Sequence, residues 1–125
     1  MTKYYNLFVY GTLKKQERAH CLLENSAFVC EADTEPFYEM YSCGSYPAII
    51  ESTNGNKIHG EIYLINQKTK EELDSYEGVS YGLYEFKILK IKNFPEDVYG
   101  YVFSGSVENW EKIMAWPCES NFKVV

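Results

Sequence analysis

From Lys57 to Ile65 the residues K-I-H-G-E-I-Y-L-I alternate, with Ile58, Gly60, Ile62 and Leu64 on one side and His59, Glu61, Tyr63 and Ile65 on the other. A period of two is that of a β-strand. The N-G-N of Asn54 to Asn56 just before it is a hairpin-turn signal. Further apolar runs read as strands in the same way: Leu7 to Tyr10, Ser26 to Thr34, Phe37 to Ser42, Pro47 to Ser52, Leu83 to Lys92 and Asp97 to Ser104, with Pro36, Gly44, Pro47 and the Asn93 to Asp97 turn between them. Three segments instead predict helices: Lys14 to Asn25, which has few β-branched residues, Thr69 to Gly78, and Val107 to Trp116 at the C-terminal end.

About seven strands and two or three short helices, joined by loops of hairpin length, predict an α+β fold on an antiparallel sheet or small barrel. No repeat, low-complexity tract or linker divides the chain, so residues 1–125 are expected to fold as one unit. A length of 125 residues and a hydrophobic content of 46% suit a single packed core.

The Thr69 to Gly78 segment carries the first candidate chemistry. Thr69 and Glu72 have the T-x-x-E spacing of a capping box, and Gly78 is placed to turn the chain out of the helix in a left-handed conformation. Glu77 then falls in the last turn, beside carbonyls that repel a carboxylate by ~0.3–1 kcal/mol if the site is exposed. That repulsion, with partial burial, raises a carboxyl pKa and suits a group that must take up a proton. An ordinary solvated glutamate near a helix end fits the same position.

The second candidate lies at L-F-V-Y-G-T-L-K-K, Leu7 to Lys15, where an apolar strand stops at a Gly-Thr pair ahead of a helix-prone segment. Such a turn can aim successive backbone N–H groups at one point and form an anion-binding concavity. A tight connection in which Thr12 only caps the next helix is the plainer alternative. The G-x-x-x-x-G-K-[ST] spacing of a phosphate-binding P-loop is absent.

Composition narrows the function classes. The net charge is -6 and the 12 Lys and Arg are scattered, so a nucleic-acid partner is not expected. The apolar run Tyr4 to Tyr10 is far shorter than the ~20 residues of a membrane span and lacks signal-peptide features, which points to a soluble, cytoplasmic protein. Cys21, Cys30, Cys43 and Cys118 show no C-x-x-C pair, and with two histidines in the chain they read as free thiols rather than a zinc site. Cys21 beside His20 does not make a nucleophile, because adjacent helical residues do not face each other, and Cys21 reads as a core residue. His59 reads as a surface or satisfied histidine. Among the 12 tyrosines, Tyr81, Tyr84, Tyr99 and Tyr101 are assigned to the core or sheet faces, with Tyr84 and Tyr46 as candidate ligands at a pocket rim.

Taken together, V-Y-G-T-L-K at Val9 to Lys14, Y-P-A at Tyr46 to Ala48, G-E-I-Y at Gly60 to Tyr63, L-D-S-Y-E-G at Leu73 to Gly78 and Y-G-L-Y-E-F at Tyr81 to Phe86 resemble the gamma-glutamylcyclotransferase-like family in its gamma-glutamylamine cyclotransferase branch. V-Y-G-Y-V-F at Val98 to Phe103 fits the same order. The resemblance implies a small barrel of mixed strands with flanking helices and a cavity at one end. It implies that Tyr10, Gly11, Thr12 and Leu13 hold the substrate and that Glu77 is the catalytic base. The implied reaction cyclises a small gamma-glutamyl amine to 5-oxoproline, with no cofactor. Two other classes remain open: a non-catalytic module that binds a small anionic metabolite in the same cavity, and an interaction domain with an aromatic surface.

Overall fold

A computed structural model describes residues 3–117, so Cys118 lies outside the described residues. The chain forms strands β1 (Tyr4–Val9), β2 (Ala27–Asp33), β3 (Tyr38–Ser42), β4 (Pro47–Glu51) and β5 (His59–Asn66), then helix α1 (Gln67–Tyr76). Strands β6 (Tyr84–Leu89), β7 (Val98–Phe103) and β8 (Glu111–Ile113) follow. Five strands form one sheet in the order β2-β5-β1-β7-β6, and three form a second in the order β4-β3-β8. Pairing in the large sheet is antiparallel except between β1 and β7, which run parallel with Asn6 opposite Val98. The fold is therefore mixed α+β, as expected. It is two sheets and a helix rather than a closed barrel, with β4 lying alongside β7 and no ladder joining them among the described residues.

β1 is the middle strand and is covered on both faces, which explains its unbroken apolar run. Leu7 and Val9 face a cluster with Leu13, Leu23, Ile65, Leu73 and Tyr101 on the α1 side. Phe8 and Tyr10 face the three-stranded sheet through Met40, Ile49 and Ile113. The same sandwiching accounts for β5: Ile62 enters one cluster, whereas Tyr63 and Ile65, on the side that looked polar, enter the other. Leu64 runs past the cover and is 37% exposed.

Several expected elements differ. The Asn54 to Asn56 turn does not join a β4–β5 hairpin, because β4 pairs with β3 while β5 pairs with β1 and β2. The helix expected over Lys14 to Asn25 is a string of turns ending in a 3-10 turn at His20–Leu23. Gln16 has a φ of 72°, outside the helical region, and Lys14, Glu17 and Ala19 bond back to Gly11, Lys14 and Thr12. The helix expected over Val107 to Trp116 is replaced by a turn with Asn109 at φ 71° and by β8. Pairing of Ile113 with Met40 buries both in the core, and that burial outweighs local helix preference.

Helix α1 is present but begins earlier than expected. Asn66 is its cap, the Asn66 Oδ1 accepting from the Thr69 N–H at 2.8 Å, so the Thr69 and Glu72 capping box is not the device used. Gly78 ends the helix at φ 68°, in the left-handed conformation expected of it. Cys21 is exposed rather than in the core, because the segment that carries it is not the amphipathic helix expected. Cys21, Cys30 and Cys43 are free thiols. Tyr81 is 87% exposed and lies in a 3-10 turn, against its assignment to the core or a sheet face, while Tyr84 and Tyr101 are buried. His59 sits on the surface between Asp33 and Glu31, whose oxygens lie 2.8 and 2.9 Å from its ring nitrogens and raise its pKa, with Asp33 the larger influence.

Candidate active site

Where β1 ends, the chain must cross the start of β4. A methyl group on Gly11 would stand 2.5 Å from the Pro47 ring, so the glycine permits this crossing. Its role is close packing between two chain segments. Beyond Gly11 the N–H groups of Gly11, Thr12 and Leu13 donate to no backbone or side-chain acceptor among the described residues. All three residues are buried. Successive donors without acceptors in a buried segment are uncommon.

A cavity of about 260 Å³ opens beside this loop. Tyr10 and Thr12 contribute from the end of β1, Tyr46 and Pro47 from the β3–β4 turn, and Tyr84 from the start of β6. Glu77 enters from the end of α1, with Tyr76, Leu83 and Arg18 completing the wall. The site is thus built where five chain segments meet at one end of the large sheet. Of the residues singled out from the sequence, Tyr10, Thr12, Tyr46, Glu77 and Tyr84 line the cavity. Gly11 and Leu13 do not; Leu13 packs into the cluster beneath it.

The tyrosines divide by what their hydroxyls do. Tyr10 Oη donates to the Tyr101 carbonyl at 2.9 Å and accepts from the Ile49 N–H at 3.3 Å. Tyr84 Oη donates to the Pro47 carbonyl at 3.0 Å. Both are committed to holding the wall, and burial pushes both phenols well above the ordinary range. The Tyr46 hydroxyl bonds to no oxygen or nitrogen among the described residues; its side-chain hydrogen-bonding neighbour is the Cys43 thiol. A thiol is a weak partner, so this phenol can exchange it for a bound molecule.

The two carboxylates of L-D-S-Y-E-G have opposite environments. Asp74 is held by Lys70 Nζ at 2.7 Å and by the Tyr101 hydroxyl at 2.7 Å. Glu77 has no ion pair or side-chain hydrogen bond among the described residues. Burial without compensation pushes its pKa up to about 7. Glu77 also caps α1, its own N–H donating to Leu73 O at 2.8 Å. A carboxyl group with a pKa near neutrality and a free face on a cavity can both accept and return a proton.

A family model described as gamma-glutamyl cyclotransferase, AIG2-like, matches residues 7–117. The chain belongs to this cyclotransferase family. A provisionally named gamma-glutamylcyclotransferase of Vibrio cholerae is 38% identical over 73 residues, 58% of this chain and 62% of that protein. Gamma-glutamylaminecyclotransferase A of Danio rerio is 30% identical over 118 residues, covering 84% of this chain and 73% of the relative. Matches to the bacterial and archaeal relatives span about six-tenths of those proteins' length. Among solved structures, an AIG2-like protein of Mus musculus superimposes with a TM-score of 0.79 at 20% identity, covering 90% of this chain and 88% of that one. An Escherichia coli protein, c4763, gives 0.82 at 18% identity over 98% and 99% of the two chains. These structural likenesses establish the fold.

Within this cyclotransferase fold, the members of the cavity that sequence reasoning missed are Arg18, Tyr76, Pro47 and Leu83. Arg18 follows two residues after the left-handed Gln16, in a segment misread as a helix, and only the fold shows that the loop returns to the cavity. Tyr76 was adjacent to Glu77 in the same motif. Its hydroxyl lies 3.0 Å from Thr12 Oγ1.

Proposed function

We propose that the chain is a gamma-glutamyl cyclotransferase that closes a gamma-glutamyl amine or amide on itself, giving 5-oxoproline and the free amine, with Glu77 as the proton carrier. The observation that carries this reading is the Glu77 carboxyl: unpartnered, set in a tyrosine-walled cavity and titrating near neutrality. A structural carboxylate is normally paired, as Asp74 is. Stability gives no reason to leave Glu77 unpaired.

In the reaction the Glu77 carboxylate takes one proton from the substrate ammonium. The neutral amine then attacks the gamma-carbonyl carbon, forming the C–N bond of a five-membered ring. As the tetrahedral intermediate collapses, the original amide C–N bond breaks, the departing nitrogen takes up the proton from Glu77, and the ring nitrogen loses its extra proton to the released amine, which leaves as an ammonium. The carboxylate is regenerated, and one carboxyl serves both proton transfers.

The free N–H of Thr12, the residue of this loop's Gly11 to Leu13 stretch that lines the cavity, binds the alpha-carboxylate or the developing oxyanion, which costs no reorganisation because the loop is already folded. The Tyr46 hydroxyl and the Thr12 hydroxyl are the side-chain donors beside it. Holding amine and carbonyl in contact converts the flexible substrate into a near-attack conformer, and this supplies much of the acceleration. The sequence as drawn uses no cofactor.

The test is release of 5-oxoproline from gamma-glutamyl amines by the purified protein and by Glu77→Gln, which keeps the shape but removes the base. The wild type is expected to turn over and the variant to lose at least about a hundredfold in kcat. Binding heat without 5-oxoproline from the wild type would instead identify a non-catalytic binding module. Full activity in the variant would remove Glu77 from the chemistry.

A further inference from the structure

We propose that Arg18 is a specificity residue that recognises an anionic group on the amine the reaction releases. The inference rests on the cyclotransferase reading above and concerns the half of the substrate that leaves.

Glu77 and Arg18 are the charged side chains that line the cavity. The gamma-glutamyl half of the substrate has two charges, and both are matched in the proposed reaction: its ammonium meets Glu77, and its alpha-carboxylate meets the N–H and hydroxyl of Thr12. A guanidinium in the same cavity is then surplus to that half. Arg18 and Glu77 form no ion pair with each other, so the two charges are not in contact across the cavity. Arg18 is exposed and Glu77 is partly buried, which puts Arg18 at the mouth and Glu77 deeper.

Arg18 is also free to act. It joins no ion pair and no side-chain hydrogen bond among the described residues, whereas Lys57, Lys70, Lys87 and Lys112 are each paired with an acid. Arg18 is the one arginine of the sequence, and it stands on the cavity wall. Its position is anchored, because the N–H of the next residue, Ala19, donates to the Thr12 carbonyl at 2.9 Å. The backbone that carries the guanidinium is thereby tied to the loop beside the cavity. Its planar fork keeps its charge at all working pH values and matches a carboxylate in two parallel hydrogen bonds. Tyr76 and Leu83, 45% and 47% exposed, give the exit an apolar wall along which the body of the leaving amine can lie.

The proposal is tested with two substrates of one shape, gamma-glutamylglycine and gamma-glutamylglycinamide, which differ by the charge of the leaving group. Release of 5-oxoproline gives kcat/KM for each. Wild type is expected to favour the acid by about three- to thirtyfold, a partly exposed charge-assisted contact. Arg18→Gln brings the ratio to about one by slowing the acid alone, and Arg18→Glu inverts it. If Arg18→Gln slows both substrates equally, the guanidinium reads the shared gamma-glutamyl half, and the proposal is overturned. An unchanged ratio in the variant overturns it as well. If wild type releases 5-oxoproline from neither substrate but does so from a gamma-glutamyl alkylamine, the cyclotransferase reading stands and this proposal fails. No release from any of the three removes the cyclotransferase reading itself.

Discussion

Thr12 Oγ1 and Tyr76 Oη lie 3.0 Å apart, joining the loop after β1 to the residue before Glu77. The bond bridges the two sides of the cavity, so it sets the spacing between the loop donors and the proton carrier. Rate depends steeply on such spacing.

Tyr76→Phe removes this tie and leaves the ring in place. Activity is expected to fall about three- to thirtyfold in kcat/KM, while stability changes by less than about 1 kcal/mol because Tyr76 is half exposed. Thr12→Val should reproduce the loss, and the double variant should be little worse than either single one. Steady-state kinetics on the three proteins check this, and additive losses would mean that the two hydroxyls act separately.

Gly11 and Pro47 make a second testable contact. Gly11→Ala puts a methyl group 2.5 Å from the Pro47 ring, and the overpacking is expected to cost about 1–3 kcal/mol in urea unfolding. Pro47→Ala in the same chain should recover part of that loss, giving a favourable coupling energy in a double-mutant cycle.

The tyrosine hydroxyls separate structure from binding. Tyr84→Phe leaves the buried Pro47 carbonyl without its donor and is expected to cost about 1–3 kcal/mol of stability. Tyr46→Phe should leave the unfolding midpoint within about 0.5 kcal/mol of wild type and raise KM severalfold. Thermal melts and initial-rate kinetics on the pair decide the assignment.

Glu77 links activity to stability. Its folded pKa of about 7 lies above the ordinary 4.5, so the native state holds a proton that the unfolded chain has released between these values. Stability must therefore fall as pH rises from about 4.5 to about 7 and then level off, and the full loss is at most about 3 kcal/mol because the group is only partly buried. Glu77→Gln abolishes the titration. The variant should match wild type near pH 4.5 and be more stable than wild type at pH 8. Melting curves at the two pH values measure it.

How far the fold was legible varies with the kind of signal. The strand at Leu7 and the chain reversal at Gly78 were readable because each depends on local pattern: an apolar run and a left-handed glycine. Glu77 at the end of α1 followed from the same helix. β8 was not readable, because Glu111 to Ile113 become a strand only through pairing with Met40, Tyr41 and Ser42, far away in sequence. The burial of Tyr63 and Ile65 was missed for a related reason, since a strand sandwiched between two layers loses its polar face. Glu77's raised pKa was readable in direction and partly in cause: burial, expected to add to the repulsion at the helix end, is the cause that the structure shows. Arg18 and Tyr76 could be placed in the cavity only once the loop and helix were seen to meet.

The most direct test of the central claim is the pH dependence of kcat/KM for 5-oxoproline release. If Glu77 must be ionised to accept the first proton, kcat/KM for wild type rises about tenfold per pH unit up to about 7 and then bends toward a plateau. The limb should be absent from the residual activity of Glu77→Gln. A limb near pH 7 that survives in Glu77→Gln with undiminished rate would contradict the account, since the titrating base would then be another group.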